Sequence, residues 1–468
     1  MMLRYKQFMK IMACLSACYF LSGAVNAQAQ IPTKSDKLLS IKTVDKKDNS
    51  LVNSSYKSII LNWAEIPKAA MYDLEIYDAD TKQVVWEKYD VYAVGYQIDS
   101  TEIDFKKNLQ WRVRGLNIDK VPVSDFSSYK PLDEGRVIDK DWQVNQTNKD
   151  ADVIQNIEFS KPDRDDYLIN NDVSILPIKI TTHFEDMAYM PVYPVYSWIP
   201  VKNANRYDIS VYFVPNKNLV QKKLVATYVS PQNMDFYDTK AYTKAGLYFF
   251  KIEAYDINNQ KIAESKATYF TVKQNDIQVA ALGDSITHGG GAVSTPPSAI
   301  LYNWETYSQV PVLNIGFSGN LTSNMVERFD QDVLPFKPKF LVIMGGVNDI
   351  RTGVSAREVI DNLTKLKEKC KINGITPIFL TVTPVNPPKM KKVANLDIST
   401  GWDKERIIVN NWIKNQEYNI NVAEALTDDR GFLSDDLTTD GLHPDYVGKK
   451  HIGEMVGDYL VSHFADFK

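Results

Sequence analysis

From residue 277 onward, short apolar runs alternate with helical patterns, and this alternation restricts the fold more than any other feature of the chain. Ile277-Gln278-Val279-Ala280-Ala281-Leu282 is the first run, and similar ones follow at 310–315, 340–344 and 375–382. The clearest helix is predicted over 355–372, with Val359, Ile360, Leu363 and Leu366 on one face. Ser355 and Glu358 make a capping box at its start, and Asn373-Gly374 supply its end. Strands and helices in alternation imply a parallel sheet with helices on both faces, an α/β/α three-layer domain over 277–468. In such sheets ligands sit beyond the carboxyl ends of the strands.

The preceding half has a different texture. Between 31 and 273, short runs such as Tyr72-Asp73-Leu74-Glu75-Ile76-Tyr77 alternate apolar and polar positions, the period of half-buried strands. One device occurs twice: Trp63 is followed nine residues on by Tyr72-Asp73, and Trp198 nine residues on by Tyr207-Asp208. Each copy ends in a strong strand pattern, at 109–114 and 247–252. The 135-residue period suggests a duplicated module. The pattern resembles fibronectin type III-like β-sandwiches, in which a strand Trp packs between two sheets. The expected modules are 31–130 and 173–273. Residues 131–172, rich in Asp, Asn and Lys, are expected to be a linker, and Asp163-Arg164-Asp165-Asp166 within it reads as a solvated charge run.

The first 29 residues read as a signal peptide. Arg4, Lys6 and Lys10 precede an apolar stretch over 11–25, and small residues at Val25-Asn26-Ala27 and Ala27-Gln28-Ala29 suit a signal peptidase. The stretch is too short for a transmembrane anchor, so no membrane insertion is expected. Leu15-Ser16-Ala17-Cys18 also resembles a bacterial lipoprotein signal, which leaves a lipid tether at Cys18 open. The expected location is therefore periplasmic or secreted, or lipid-anchored at the cell envelope. Of three cysteines, Cys14 and Cys18 lie in the leader, so Cys370 is expected to be a lone buried residue in an otherwise disulfide-free fold. A formal net charge of −4 gives no reason to expect nucleic acid as a partner.

Four motifs fall at strand ends or in the last loop: Gly283-Asp284-Ser285, then Asn314-Ile315-Gly316-Phe317-Ser318-Gly319, then Gly346-Val347-Asn348-Asp349, and finally Asp440-Gly441-Leu442-His443-Pro444. In kind, order and placement they resemble the four blocks of the SGNH (GDSL-like) hydrolases, over the whole of 277–468. That resemblance implies a serine esterase. Ser285 would be the nucleophile, His443 the base that takes its proton, and Asp440 the group that orients the imidazole. The Ser285 and Gly319 backbone N–H groups and the Asn348 side-chain amide would form the oxyanion hole. The Gly-x-Ser-x-Gly elbow of α/β-hydrolases is absent from the sequence.

Other residues carry blander expectations. Asp349 is expected to be structural, and Tyr302 and Trp304 to pack in the core. His288 is expected either at the cleft or on the surface, and His183, His451 and His463 away from the chemistry. No His-Glu-x-x-His or paired-Cys pattern occurs, so no metal and no cofactor is expected. The expected activity is exported carboxylic ester hydrolysis, with a carbohydrate O-acetylesterase acting on an acylated glycan or small molecule as the leading form. A lysophospholipase or thioesterase of the same family is an alternative. A glycan- or protein-binding protein with a degenerate hydrolase domain is another. The sequence does not specify oligomeric state.

Overall fold

The structure, a computed structural model, describes residues 58–132, 136–137, 168–169, 176–215, 219–231, 234–291 and 295–467. The leader with Cys14 and Cys18, and the charge run at 163–166, lie outside the described residues.

The first β-rich region comprises β1 (Ser58–Trp63), β2 (Met71–Asp78), β3 (Gln83–Val91), β4 (Gly95–Asp99), β5 (Leu109–Leu116), β6 (Lys130–Pro131), β7 (Arg136–Val137) and β8 (Leu168–Ile169). One sheet runs β3-β2-β5-β6; in the other, β1 pairs with β4 on one side and with β7 and β8. Trp63, Leu74, Ile76 and Trp111 are buried in one core. The segment 131–172 is thus not purely a linker. Its residues 136–137 and 168–169 pair with β1, whose backbone donors and acceptors would otherwise lack ladder partners there.

The second region holds β9 (Leu176–Ile178), β10 (Val195–Ser197), β11 (Arg206–Val214), β12 (Lys223–Ser230), β13 (Asp235–Tyr237), β14 (Gly246–Tyr255), β15 (Lys261–Ser265) and β16 (Thr268–Val272). Its large sheet is ordered β12-β11-β14-β15-β9, with β16 also on β14, and β10 pairs with β13. The duplicated sequence device does the same work in both regions. Trp63 meets Tyr72 with ring centroids 5.3 Å apart, and Trp198 meets Tyr207 at 5.0 Å. Each tyrosine hydroxyl then accepts a turn N–H, from Ile66 at 3.3 Å and from Val201 at 2.9 Å.

The third region is a parallel sheet of β17 (Val279–Gly283), β18 (Val312–Gly316), β19 (Phe340–Met344), β20 (Thr376–Leu380) and β21 (Asn419–Ile420), ordered β18-β17-β19-β20-β21. Its helices are α1 (Ser285–His288), α2 (Thr322–Asp332), α3 (Val347–Arg351), α4 (Ala356–Ile372), α5 (Pro387–Ala394), α6 (Trp402–Lys414), α7 (Val422–Leu426) and α8 (Tyr446–His463). Every residue of β17, β18 and β19 is buried, as expected for strands covered on both faces. The Ser355 side chain caps α4, accepting from the Glu358 N–H. Cys370, Tyr302 and Trp304 are buried in the packing. After β17 the chain places β18 on one side and β19 on the other, so the crevice of the sheet opens at the carboxyl end of β17.

The second and third regions share one continuous apolar core. At the seam, the Val192 N–H donates to the Asn314 carbonyl at 3.0 Å, beside β18. The Tyr193 hydroxyl donates to Asp332 at 2.7 Å, and the hydroxyls of Ser197 and Ser298 lie 2.5 Å apart. The parallel-sheet domain therefore leans on a wall that its own segment does not encode.

Candidate active site

Ser285 is the first residue of α1, at the crevice just described. Asp284 caps that helix by accepting the Ile286 N–H at 2.9 Å. With the cap role taken by Asp284, the Ser285 hydroxyl faces elsewhere: its Oγ lies 2.9 Å from His443 Nε2. His443 Nδ1 lies 2.7 Å from Asp440 Oδ2. A carboxylate only accepts, so Nδ1 carries the proton and Nε2 presents its lone pair to the serine O–H. The other carboxyl oxygen, Asp440 Oδ1, accepts the backbone N–H groups of Leu442 and His443, each at 2.8 Å. Burial alone would raise the Asp440 pKa, yet the His443 imidazole and these N–H donors hold it below its ordinary value. The tight turn from Asp440 to His443 thus builds an oriented, ionised carboxylate from local backbone.

Gly319 sits in the left-handed region at φ +83°, and a Cβ there would meet nothing within 4 Å. The backbone at this point consequently faces open space. Neither the Gly319 N–H nor the Ser285 N–H has an acceptor among the described residues. Asn348, buried on α3, donates from Nδ2 to the Asn320 carbonyl at 3.1 Å and accepts Arg351 Nε at 3.0 Å. Those two bonds fix which way the amide points and leave one N–H of its NH2 group unused by them. Asp349 accepts the Thr322 N–H and hydroxyl at the start of α2, a structural task.

The loop bearing Gly319 is held by groups that sequence reasoning missed or left open. His288 is fully enclosed. Its Nδ1 accepts the Ser318 N–H at 3.2 Å and lies 2.8 Å from the Ser318 hydroxyl, so Nε2 carries the proton and donates to the Tyr193 carbonyl at 2.7 Å. The surface placement is corrected: the second region buries this imidazole. Burial pushes its pKa down to about 4, against a weaker opposing pull from the Tyr193 carbonyl. Arg328 on α2 donates to the carbonyls of Gly283 at 2.9 Å and Ile315 at 2.8 Å and to Asn320 Oδ1 at 2.6 Å. Its charge is met by Asp332, 2.9 Å away. The only legible trace of this clamp in the sequence is the i, i+4 spacing of Arg328 and Asp332.

Lys449, wholly buried on α8, donates to the Ile286 carbonyl at 2.6 Å and so supports α1 from beneath. Burial lowers its pKa, while the carboxyl groups of Glu305, Asp284 and Asp440 act in the other direction. Burial raises Glu305, whose Oε1 accepts the Asn314 amide at 2.6 Å. Burial likewise lifts Asp284 to about 6, against the Ile286 N–H. Among the described residues, no cluster of three or more His, Cys, Asp or Glu side chains is arranged to hold a metal ion.

Residues 281–451 match the family described as "GDSL-like Lipase/Acylhydrolase". A curated relative, the "Uncharacterized lipoprotein YqeF" of Bacillus subtilis (strain 168), is 35% identical over 119 residues, 23% of this chain and 49% of that protein. The chain thus spans about half the length of the curated relative it matches. Similar solved structures include a putative lipolytic protein of the G-D-S-L family from Desulfitobacterium hafniense, with 23% identity, a TM-score of 0.32, and coverage of 39% of this chain and 98% of that one. A lipase/acylhydrolase from Enterococcus faecalis gives 22%, 0.34, 40% and 96% for the same four quantities. An acetyl xylan esterase from Geobacillus stearothermophilus gives 19%, 0.31, 40% and 94%.

Proposed function

We propose that this chain, whose C-terminal domain belongs to the GDSL-like lipase/acylhydrolase family, is an exported serine esterase that removes acetyl groups from a glycan. The observation carrying this reading is the relay from Ser285 Oγ to His443 Nε2 at 2.9 Å and from His443 Nδ1 to Asp440 Oδ2 at 2.7 Å.

Ser285 attacks the ester carbonyl while His443 Nε2 takes the hydroxyl proton, and the ionised Asp440 stabilises the imidazolium that forms. The Ser285 and Gly319 N–H groups and Asn348 Nδ2 donate to the oxyanion of the tetrahedral intermediate. His443 then protonates the departing alcohol, and water, activated by the same imidazole, releases the acid from acyl-Ser285. The acetyl choice is supported by polar surroundings at the seat, Asn320, Asn348 and Arg351, and by β-rich modules attached to the catalytic domain. The second support is an argument from architecture. Export rests on the basic and apolar leader, and anchoring at Cys18 gains support from the curated relative being named a lipoprotein.

The test is hydrolysis of p-nitrophenyl acetate and of acetylated oligosaccharides by wild type and Ser285→Ala. Loss of release in the variant is expected. Equal rates in both would remove Ser285 from the chemistry, and activity confined to octanoate or longer esters would remove the acetyl assignment.

A further inference from the structure

A small recess of about 170 Å³ lies beside Asn348, between α3, α6 and the chain leaving β20. Its walls are largely apolar, including Val382, Ile398 and Trp402, yet two guanidinium groups line it, those of Arg351 and Arg406. Neither has a carboxylate within ion-pair distance among the described residues. Arg351 spends its Nε on Asn348 Oδ1, and the structure gives its two terminal nitrogens no acceptor. Arg406 packs over the Trp402 ring, 5.7 Å from its centroid, and its Nε is buried without a partner. Thr383, 1% exposed, also lines the recess, and its hydroxyl has no hydrogen bond.

Two like charges and an unpartnered hydroxyl in an apolar enclosure oppose each other unless an anion joins them. Burial depresses the pKa of both arginines, with Asp284 and Asp403 as weak compensating charges. Arginine's planar fork suits carboxylate and sulfate oxygens.

The geometry points to an oxyanion-binding subsite, formed by Arg351, Arg406 and Thr383, that selects esters whose alcohol part carries a carboxylate or sulfate near the acylated oxygen. This rests on the acetylesterase reading: an acetyl group has no charge, so the anion must belong to the alcohol half. Because Arg351 also bonds the oxyanion-hole amide, an anion seated here is one hydrogen-bonded residue away from the reacting carbonyl. The substrate class is then an acetylated acidic glycan rather than a neutral one.

The experiment compares kcat/KM of the intact protein on acetylated oligogalacturonate, an acetylated sulfated oligosaccharide, acetylated xylo-oligosaccharide and p-nitrophenyl acetate, for wild type, Arg406→Gln and Arg406→Lys. Wild type should favour one or both acidic substrates, and Arg406→Gln should lower kcat/KM on them by about ten- to a hundredfold, mainly through KM. Arg406→Lys should recover part of that loss, and p-nitrophenyl acetate should be cleaved at the wild-type rate by both variants. The two acidic arms distinguish carboxylate from sulfate. No preference for acidic over neutral substrates, or an equal loss on all four, would overturn the subsite. In parallel, titration of Ser285→Ala with galacturonate, sulfate and galactose reads binding without turnover. Saturable binding of an anion that Arg406→Gln abolishes keeps the subsite even if no ester is cleaved, which would defeat only the esterase reading. Absence of anion binding overturns the subsite even if acetate is released.

Discussion

Acidifying the protein should expose the cost of charging His288. The imidazole is enclosed, with Nε2–H on the Tyr193 carbonyl and Nδ1 accepting the Ser318 N–H, so a second proton has nowhere to go without breaking the latter bond. Burial lowers the folded-state pKa from 6.5 to about 4. A depressed value means that the unfolded chain binds the proton first. The contribution to stability is complete above the unfolded value, falls as pH drops from about 6.5 to about 4, and changes no further below that. The 2.5-unit difference corresponds to about 3 kcal/mol at the acid limit, and to about 2 kcal/mol at pH 5. Side-chain NMR of the five histidines, with His288 assigned by the loss of its signal in His288→Gln, reads the titration directly. One histidine should stay neutral until about pH 4. Urea unfolding of both proteins at pH 7.5 and pH 5 should show their stability gap shrinking by about 2 kcal/mol at the lower pH. A His288 signal that titrates at the ordinary value would refute the argument, because an enclosed imidazole with both nitrogens committed cannot behave like an exposed one.

Four further outcomes follow from particular contacts. Asp440→Asn should retain its circular dichroism spectrum but lose about four orders of magnitude in kcat on p-nitrophenyl acetate, since an amide no longer enforces the required tautomer of His443. Asn348→Ala should lower kcat by about a hundred- to a thousandfold with little change in KM, measured on the same ester. Gly453→Ala would put a Cβ 2.0 Å from the Trp304 carbonyl oxygen, a backbone atom that cannot swing aside, so thermal unfolding should show a loss of at least about 1–3 kcal/mol. A chain beginning at residue 277 should be insoluble or inactive where one beginning at residue 176 is not, because the shorter one loses the Tyr193 carbonyl and the shared core; comparable solubility and esterase activity in both would show that the seam is dispensable.

Much of this fold could be read from the sequence wherever a period or a repeated device controls the structure. The runs at 277–282 and 340–344 became β17 and β19 with shifts of at most two residues, because a strand buried on both faces needs an unbroken apolar run. The Trp63–Tyr72 and Trp198–Tyr207 pairs were legible as a repeat, and the geometry gives both the same ring contact and the same hydroxyl acceptor. At the candidate site, Ser285 and His443 are 158 positions apart, and no periodicity links them. Their expected meeting came from the resemblance of the motif blocks. The supports around them left no trace of that kind. Tyr193 acts on His288 through a backbone carbonyl, which any residue type could supply. Lys449 reads in sequence as one more solvent-facing helix lysine, and only the packing of α8 under α1 encloses it.

These supports have an electrostatic logic as well as a mechanical one. The oxyanion loop must be held firmly, yet a free charge beside it would act on the ester before the transition state as well as in it, which does not accelerate the chemical step. The loop is accordingly anchored by a neutral imidazole on one side and, on the other, by a guanidinium whose charge is met by Asp332 at 2.9 Å. What remains directed at the developing oxyanion is a set of fixed dipoles: two backbone N–H groups and an amide pinned at both ends by Asn320 and Arg351. Fixed dipoles in an enclosed site need no reorganisation as charge develops, and that is the condition under which they stabilise a transition state most. The residues that make the hole come from the family segment. One of the groups that keep it still, Tyr193, comes from the β-rich region before it, so the two regions function as a single catalytic unit.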